Sequence, residues 1–449
     1  MPFQSLYPRQ KIILGVLIFV VLIIIGVGII LPRVGKNKVV SGQLLVWGLD
    51  SKQAVAPLID SFVTRYPKVE VVYETKTAST YETDLINAFS RGQGPDVFVI
   101  NNTKINEYFP YISPCNLGGS TESINGCFLK NKAYTKSQLE SDFPDVVLDD
   151  FSGNGELYGL PLSVDTLGLY YNKDFFNKAN IASPPTVWDG KSTLSVETVA
   201  RKLRLLKSLV LTGAGIALGG ESGTIENAND ILALMMMQKG AALENSVGET
   251  IFDSGESLSP STKALSFYID FANPKSTNNN YNWGQGVTAA NAFWQGKTAM
   301  YLGYYRDKIF IDRFGGDLNY GYTKIPQFVS ATQTGNTVNY ANYYGFVVSK
   351  QSKLIDPAWQ FVMGATENDV ANRYYQVTKN PPAKRSLISA TLNNDLSGVF
   401  VQQILTARSF KGPSQKIVIE AFDRMIYDAL HGVALSEAVS KAARTINSY

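Results

Sequence analysis

The chain has 449 residues, which is more than one simple hydrophobic core usually serves, so two or more domains are expected. Its composition, 45% hydrophobic and 18% charged, is that of an ordinary globular protein and excludes a disordered or fibrous chain. Residues 1–38 hold five cations and no acid, and taking these five from the 41 basic residues leaves 36 against 38 acidic ones. This nearly neutral remainder offers no basic field, and we predict no nucleic-acid partner.

An uninterrupted apolar run of 20 residues extends from Ile12 to Leu31. At about 1.5 Å per residue, a helix of this length spans about 30 Å, the hydrocarbon thickness of a bilayer. Pro32 and Arg33 follow directly, without the small-residue cleavage site of a secretory signal. We therefore predict a retained transmembrane signal anchor over residues 12–31, after a short cytoplasmic stub, 1–11, and before a linker, 32–41. Cleavage as a signal peptide is the alternative.

The two cysteines, Cys115 and Cys127, lie close together in a Gly/Ser/Asn-rich loop. A disulfide that closes a polar loop of this length contributes about 3 kcal/mol and requires an oxidising compartment. Two unrelated thiols are the alternative. The cations on both sides of the apolar run do not determine its orientation in the membrane. We predict the disulfide, and because it requires an oxidising compartment we place the large domain outside the cytoplasm.

Strands and helices alternate in the first part of the chain after the linker. The patterns predict, in order, a strand at Leu44–Trp47, a helix at Pro57–Tyr66, a strand at 69–73, a helix at 81–89 and a strand at Asp96–Ile100. This order indicates a doubly wound α/β lobe, in which ligands gather beyond the carboxyl ends of the strands.

Later segments have helical or strand patterns of the same kinds. The predicted helices are Val196–Val210, Ile231–Met237, one that starts at Asp356–Pro357, Ile417–Ala429 and Ser436–Ile446. The predicted strands are Ile216–Leu218, which opens onto a Gly-rich loop at 219–223, Thr298–Leu302 and Phe346–Val348. Between the two parts, Leu167, Leu169 and Tyr171 alternate with smaller or polar residues as a strand, shortly after a carboxylate, Asp165.

The segment Glu156–Trp188, ELYGLPLSVDTLGLYYNKDFFNKANIASPPTVW, resembles the crossover segment of bacterial extracellular solute-binding proteins of the maltose-binding-protein-like type. Four more motifs follow the same family in order and spacing: VWG at 46–48, GPDVFVI at 94–100, AFWQGKTAMYLG at 292–303 and ANYYGFVVSK at 341–350. The resemblance covers roughly residues 44–449, nearly the whole part beyond the linker.

The resemblance implies a two-lobed periplasmic-binding-protein-like fold of type II, each lobe a doubly wound α/β sheet. The first lobe would comprise residues 42–164 with 339–384 returning, and the second would comprise 165–338 with 385–449 returning. In this family a ligand held between the lobes closes them, and the closed form meets the permease of an ABC importer. The anchor departs from most relatives, which are cleaved or lipid-anchored, and implies a single-pass protein of the cell membrane with its large domain extracytoplasmic.

The resemblance also implies polar ligand contacts at Asp50, Asn101, Asn102 and Asp165. A sugar needs side chains that donate and accept hydrogen bonds, and a buried carboxylate that accepts from hydroxyls is a strong partner. The alternatives are a turn or helix cap for Asp50 and a hinge-stabilising bond for Asp165. Glu221 in the Gly-rich loop is a further candidate for a hydroxyl, whereas a phosphate cradle is disfavoured because the lysine of a P-loop is missing.

Five aromatic residues are candidates for stacking on a sugar ring, because they lie in loops or at strand ends. They are Trp283, Tyr304, Tyr305, Tyr343 and Tyr344. Tyr304 and Tyr305 fall where relatives place a stacking aromatic. We expect Tyr304→Ala or Tyr344→Ala to weaken binding while leaving folding largely intact.

Catalytic chemistry has little support, since the chain has one histidine, His431, at the end of a predicted helix. This count excludes His/Cys metal sites and His-based triads. We predict a non-enzyme without cofactor, with a mono- or oligosaccharide ligand and ABC permease subunits as partners. The alternatives are a hydrolase that uses two carboxylates, a sensory ectodomain, and a receptor for an amino acid, a peptide or a polyamine.

Overall fold

The structure is a computed structural model, and it describes residues 41–118, 126–129, 132–189, 192–206, 214–245, 248–253, 258–279, 287–329, 337–392 and 398–449. The predicted transmembrane span at 12–31 lies outside these ranges, as does Trp283. Among the helices of the described residues, none combines the length and the apolar character that crossing a bilayer requires. Residues Gly42–Tyr449 form one compact unit.

Short strands and helices alternate along this unit. The strands of the described residues are β1 (Gly42–Gly48), β2 (Val69–Thr75), β3 (Val97–Asn101), β4 (Cys115–Asn116), β5 (Phe128–Leu129), β6 (Lys132–Ala133), β7 (Ser152–Gly153), β8 (Glu156–Leu157), β9 (Gly159–Pro161), β10 (Gly168–Asn172), β11 (Met300–Gly303), β12 (Tyr320–Lys324), β13 (Asn339–Tyr340), β14 (Tyr344–Val348) and β15 (Ala407–Arg408). The α-helices are α1 (Lys52–Arg65), α2 (Tyr81–Ser90), α3 (Ile105–Tyr108), α4 (Lys136–Asp142), α5 (Asp145–Phe151), α6 (Lys173–Lys178), α7 (Val196–Arg204), α8 (Ala228–Gln238), α9 (Pro260–Asp270), α10 (Ala289–Trp294), α11 (Asp307–Phe314), α12 (Ile355–Ala365), α13 (Asn368–Thr378), α14 (Arg385–Thr391), α15 (Gly398–Gln403), α16 (Gln415–Leu430) and α17 (Leu435–Asn447).

The buried apolar residues fall into two separate cores, and we call the part of the chain built on each core a lobe. The first core takes its residues from 44–164 and from 341–407, and the second from 167–340, from Phe400 and from 410–446. Ile388 in α14 lies in the first core, beyond the limit of 384 that the sequence predicts for the return of the first lobe. The predicted domain boundaries stay predictions.

The first lobe contains a five-stranded sheet in the order β2-β1-β3-β14-β9. Strands β2, β1 and β3 are parallel, and β14 runs antiparallel to β3 and β9. The first four residues of β3, VFVI, are all buried, as expected for a central strand that is covered on both faces. The β-α-β-α-β order predicted for this region is confirmed.

Helix α1 begins at Lys52, five residues before the start predicted from the sequence. Ser51 is its N-cap, and the Ser51 hydroxyl accepts a hydrogen bond from the amide of Ala54 at 3.3 Å. This bond satisfies one of the amides that a helix start leaves without a partner. Ser51 therefore has the capping role that was one alternative for Asp50.

The second lobe differs from the predicted doubly wound sheet. Its three described strands, in the order β11-β10-β12, are antiparallel. The predicted strand at Ile216–Leu218 is irregular backbone. It lies alongside β11, because the amide of Ala217 donates to the carbonyl of Met300 at 3.0 Å. Parallel pairing among the described residues of this lobe is confined to single-residue bridges, between Ala214 and Thr298 and from Val187 to Ser195 and to Gln327. Strand direction was the error, because side-chain alternation is the same for parallel and antiparallel pairs.

Within the described residues, three hydrogen-bonded segments pass between the lobes side by side. The first runs from β9 to β10, the second follows β13 into β14, and the third includes β15. Thr166 in the first bridges Ala341 in the second, and β13 pairs with β15. Because each segment is hydrogen-bonded to its neighbour, the crossovers form one connected hinge.

The structure contains the disulfide between Cys115 and Cys127, and both cysteines are buried in the first core. Cys115 is in β4, which pairs with β8. The bond therefore links β4 to Cys127, the residue directly before β5.

Candidate functional site

A buried carboxylate joins the lobes at the first crossover. Asp165 Oδ1 accepts from the amide of Tyr305 at 2.8 Å, and Oδ2 accepts from the amide of Arg306 at 3.1 Å. The Asp165 carbonyl accepts from the amide of Asn342 at 3.0 Å. One residue thus holds the end of β11 in the second lobe and the second crossover strand.

Burial raises the pKa of Asp165 to about 6, even though the Arg306 guanidinium and the two amides act to lower it. Desolvation outweighs these contacts because only 12% of the side chain is exposed and the Arg306 guanidinium nitrogen Nη1 is 3.9 Å from the carboxylate. The ionised form of Asp165 is therefore destabilised in the ligand-free protein. Additional hydrogen-bond donors would favour it.

Arg306 lies at the same junction, directly before α11. Its guanidinium packs over the Tyr304 ring, 4.0 Å from the centroid. Nη1 donates to the Asn342 carbonyl at 2.8 Å, and Nη2 donates to Asn342 Oδ1 at 3.3 Å. The side chain is 39% exposed, so the guanidinium is fixed on one side and reaches solvent on the other.

Asn342 connects the two lobes through its side chain. Its Oδ1 accepts from Asn101 Nδ2 at 2.7 Å, which reaches the end of β3 in the first lobe. Its Nδ2 donates to Asp230 Oδ2 at 3.3 Å, which reaches α8 in the second lobe. We call the set Asn101, Asp165, Asp230, Arg306 and Asn342 the junction network.

The predicted stacking residues Tyr304 and Tyr305 are buried, contrary to an open aromatic surface. Tyr304 is 0% exposed, and its hydroxyl donates to Asp230 Oδ2 at 2.5 Å. The Tyr304 carbonyl accepts from Tyr170 at 2.7 Å. Tyr305 is 7% exposed and packs edge-on against Phe400. The expectation that Tyr304→Ala leaves folding intact is therefore inconsistent with this position.

Asn102 and Tyr343 lie in a second buried network around Asp150. Asn102 Nδ2 and the Tyr343 hydroxyl donate to Asp150 Oδ2 at 2.9 and 2.7 Å. Asn102 Oδ1 accepts from the Tyr343 amide at 2.9 Å. Ser409 in the third crossover segment donates to the other oxygen of Asp150. These contacts give Asn102 and Tyr343 a structural role that joins the first lobe to the hinge.

Asp50 and Tyr344 lie in the first lobe near the ends of strands, and Tyr344 pairs with a member of the junction network. Asp50 is half-buried and accepts from the Tyr374 hydroxyl at 2.9 Å, while burial raises the pKa of Asp50. Tyr344 begins β14, pairs with Asn101 and is 41% exposed. Of the predicted stacking residues that the structure describes, Tyr344 is the one with an accessible ring.

Glu221 lies in the Gly-rich loop before α8, and no described contact joins it to the junction network. Burial and the nearby charge of Asp423 raise the pKa of Glu221. Its neighbour Ser222 holds Asp423 in α16 through its amide at 2.7 Å. The loop is thus attached to the helix that follows the third crossover.

A cavity of about 1210 Å³ lies between the lobes on the side of Asp150. Its lining includes Asp149, Glu244, Arg408 and Lys411. None of the described residues that line it is aromatic or belongs to the predicted ligand set. This cavity therefore lacks the stacking surface that a sugar ring would use.

Three residues of the junction network, Arg306, Asn342 and Asp230, were not among the site residues predicted from the sequence. Arg306 comes shortly after the motif GKTAMYLG, and Asn342 lies within the motif ANYYG. A polar residue in or near a family motif was therefore the available signal. Asp230 opens an otherwise apolar helix, ANDILALMMMQ. Among the described residues, no cluster of three or more His, Cys, Asp or Glu side chains is arranged to hold a metal ion.

We predict that Asp165 lowers the stability of the protein as the pH rises. The unfolded carboxyl loses its proton near pH 4 and the native one near pH 6, so the contribution of Asp165 to the free energy of unfolding falls by about 3 kcal/mol across this window. Urea unfolding between pH 4 and 7 measures it. Asp165→Asn should lose this part of the slope, and parallel pH profiles for both proteins would contradict the burial argument.

We also predict that Tyr304→Phe lowers the free energy of unfolding by about 1–3 kcal/mol, because the buried Asp230 carboxylate loses a donor. Tyr344→Phe is the matched control and should change stability by less than about 0.5 kcal/mol, since its ring is exposed. Denaturant midpoints of the purified variants give both values. An equal, small effect of both substitutions would show that Tyr304 is not structural.

Sugar-bound and sugar-binding proteins are among the solved structures that are similar to this chain. An ABC transporter solute-binding protein from Thermotoga lettingae, bound with alpha-D-tagatose, is 20% identical, with a TM-score of 0.66 over 91% of this chain and 99% of the other. A cyclic alpha-maltosyl-1,6-maltose-binding protein from Arthrobacter globiformis is 15% identical, with a TM-score of 0.70 over 91% and 99%. These similarities establish a two-lobed α/β fold.

The sequence gives the family. The galactooligosaccharide-binding protein of Bacillus subtilis (strain 168) is 22% identical over 363 residues, which are 78% of this chain and 75% of that protein. Residues 49–371 match the family described as bacterial extracellular solute-binding protein, and this range contains Asp50, Asp165, Arg306 and Asn342. The chain therefore belongs to the bacterial extracellular solute-binding protein family.

Proposed function

We propose that this protein is the carbohydrate receptor of an ABC importer. A mono- or oligosaccharide binds at the junction network between the lobes, and the closed form delivers it to the permease. The protein acts without a cofactor and does not transform its ligand. Solutes of other classes and a hydrolase remain the alternatives that the experiments below separate.

The pairing of Asp165 with Arg306 carries this proposal. A carboxylate that accepts and a guanidinium that donates are complementary to neighbouring hydroxyl groups, which do both. The exposed ring of Tyr344 lies beside the end of β3, because Tyr344 pairs with Asn101, and an apolar sugar face would pack on this ring. Asp165, Asp230 and Asp307 all interact with the charge of Arg306, so the local charge favours a neutral ligand over an anion.

Binding would favour closure through the same carboxylate. Hydroxyl donors to Asp165 stabilise its ionised form and offset the cost of its burial. The groups that meet the ligand come from the first lobe, from a crossover and from the second lobe. A ligand that contacts all three binds the closed form more strongly than the open one and shifts the population accordingly.

Three kinds of observation support a carbohydrate in particular. The relative from Bacillus subtilis is named for galactooligosaccharides, and the similar protein from Thermotoga lettingae was solved with tagatose bound. The junction network offers the donors, acceptors and aromatic ring that the sequence interpretation required of a sugar site. The fold neighbours named here are described as binding proteins, which favours binding over hydrolysis.

The membrane anchor and the extracytoplasmic location are part of the proposal. The apolar run at 12–31 supports a tether, and the disulfide in the first lobe supports an oxidising compartment. A receptor tethered in this way would remain beside its permease rather than diffuse freely.

We predict that Arg306→Ala weakens sugar binding by about 10- to 100-fold, because hydrogen bonds from a charged donor are lost. Tyr344→Ala should weaken it by about 10-fold through the loss of stacking. Calorimetric titration with maltotriose, galactobiose and tagatose measures both effects. Tyr427→Ala is the matched control, since Tyr427 is 44% exposed on α16 and stacks on His431.

Unchanged affinity in both variants would remove the junction network from the binding site. Release of shorter sugars during incubation would instead favour the hydrolase. Thermal stabilisation by amino acids, peptides or polyamines, without any by sugars, would retain the receptor function and overturn the ligand class.

A further inference from the structure

Helix α16 of the second lobe starts without a cap from its own N-cap residue. It has 16 residues, and the side chain of its N-cap, Ser414, makes no capping hydrogen bond. The first amides of a helix have no partner inside the helix, and their dipoles make this end partly positive. Such an end is stabilised by a nearby carboxylate.

That carboxylate comes from the other lobe. Glu107 Oε1 accepts a hydrogen bond from the amide of Gln415, the first residue of α16, at 2.6 Å. Glu107 is in α3, whose Ile105 and Tyr108 belong to the first core. Val418 and Phe422 of α16 belong to the second core. A side chain of one lobe therefore caps a helix of the other.

The neighbouring residue of α3 makes a second bond across the lobes. Asn106 Nδ2 donates to the carbonyl of Gly412 at 2.6 Å. Gly412 has a φ of 60°, and a Cβ there would be 2.5 Å from a Val418 methyl group, so the turn requires glycine. The Gly412 amide donates to Glu244 at 2.6 Å, which fixes the turn within the second lobe.

We propose that Glu107 is a clasp that stabilises the closed form of this protein by capping α16 across the lobes, with Asn106 as its auxiliary. The two bonds lie outside the three crossover segments, so the lobes cannot separate at this edge without breaking them. Neither residue belongs to the junction network. The clasp therefore sets the balance between open and closed forms in the absence of ligand, and it is independent of which solute the protein carries.

The distance between the lobes tests the clasp directly. Spin labels on cysteines introduced at Ile86 in α2 and Lys263 in α9 report it, because both positions are exposed, one on each lobe. In the ligand-free protein we expect Glu107→Ala to raise the ratio of open to closed populations by roughly 5- to 30-fold, which corresponds to the worth of a helix cap. Glu107→Gln keeps an acceptor but loses the charge, and should give a smaller rise.

Glu82→Gln is the matched control. Glu82 is also a half-exposed carboxylate of the first lobe, but its partner is Lys104 of the same lobe. This variant should leave the distance distribution unchanged. Equal distributions for Glu107→Ala and the parent protein would overturn the clasp, as would an equal shift in Glu82→Gln, which would indicate a general effect of charge.

Amide exchange supplies a second readout at the bond itself. The amide of Gln415 should exchange at least 10-fold faster in Glu107→Ala, because it loses its acceptor, while amides in the middle of α16 keep their rates. Unchanged protection of Gln415 would show that the capping bond is not formed in solution and would overturn the proposal.

Discussion

The burial of Asp165 between two lobes is the constraint on which the site depends. Its two oxygens are held by the amides of Tyr305 and Arg306, so the end of a second-lobe strand is fixed against the first crossover. These bonds orient Arg306, whose guanidinium then meets Asn342 and the ring of Tyr304. Burial of the ionised Asp165 carboxylate thus lowers the stability of the ligand-free protein. A hydroxyl-rich ligand would offset this cost by donating hydrogen bonds to the carboxylate.

The two lobes are coupled through carboxylates placed on either side of the second crossover strand. Consecutive residues of this strand alternate: Asn342 faces Arg306 and Asp230, whereas Tyr343 faces Asp150. Asn101 and Asn102 alternate in the same way at the end of β3. The side of the hinge with Asn101 and Asn342 can therefore contact the ligand, while the side with Asp150 joins the first lobe to the hinge. The proposed clasp at Glu107 belongs to neither set of contacts and joins the lobes just beyond the Asp150 side, where Lys411 pairs with Asp150 directly before Gly412.

Much of the first lobe could be predicted from the sequence, because VWG, GPDVFVI and the alternating strands encode local structure directly. The crossover motif likewise placed Asp165. Asn342 was missed because its importance depends on Asn101, 241 residues away in the chain, and only folding brings the two together. The burial of Tyr304 could not be predicted, because a strand end next to glycine does not reveal which side of the sheet a ring occupies. The direction of the second-lobe strands was equally absent from the local pattern.

Proton release on ligand binding is the most direct test of whether Asp165 holds the ligand. Calorimetric titrations at pH 6, in buffers of different ionisation enthalpy, give the number of protons exchanged when the bound sugar meets Asp165. We predict that the parent protein releases a fraction of a proton, because hydroxyl donors lower the pKa of Asp165 from about 6, and that Asp165→Asn releases none. Sugar binding with no proton release in the parent protein would contradict a ligand held by this carboxylate.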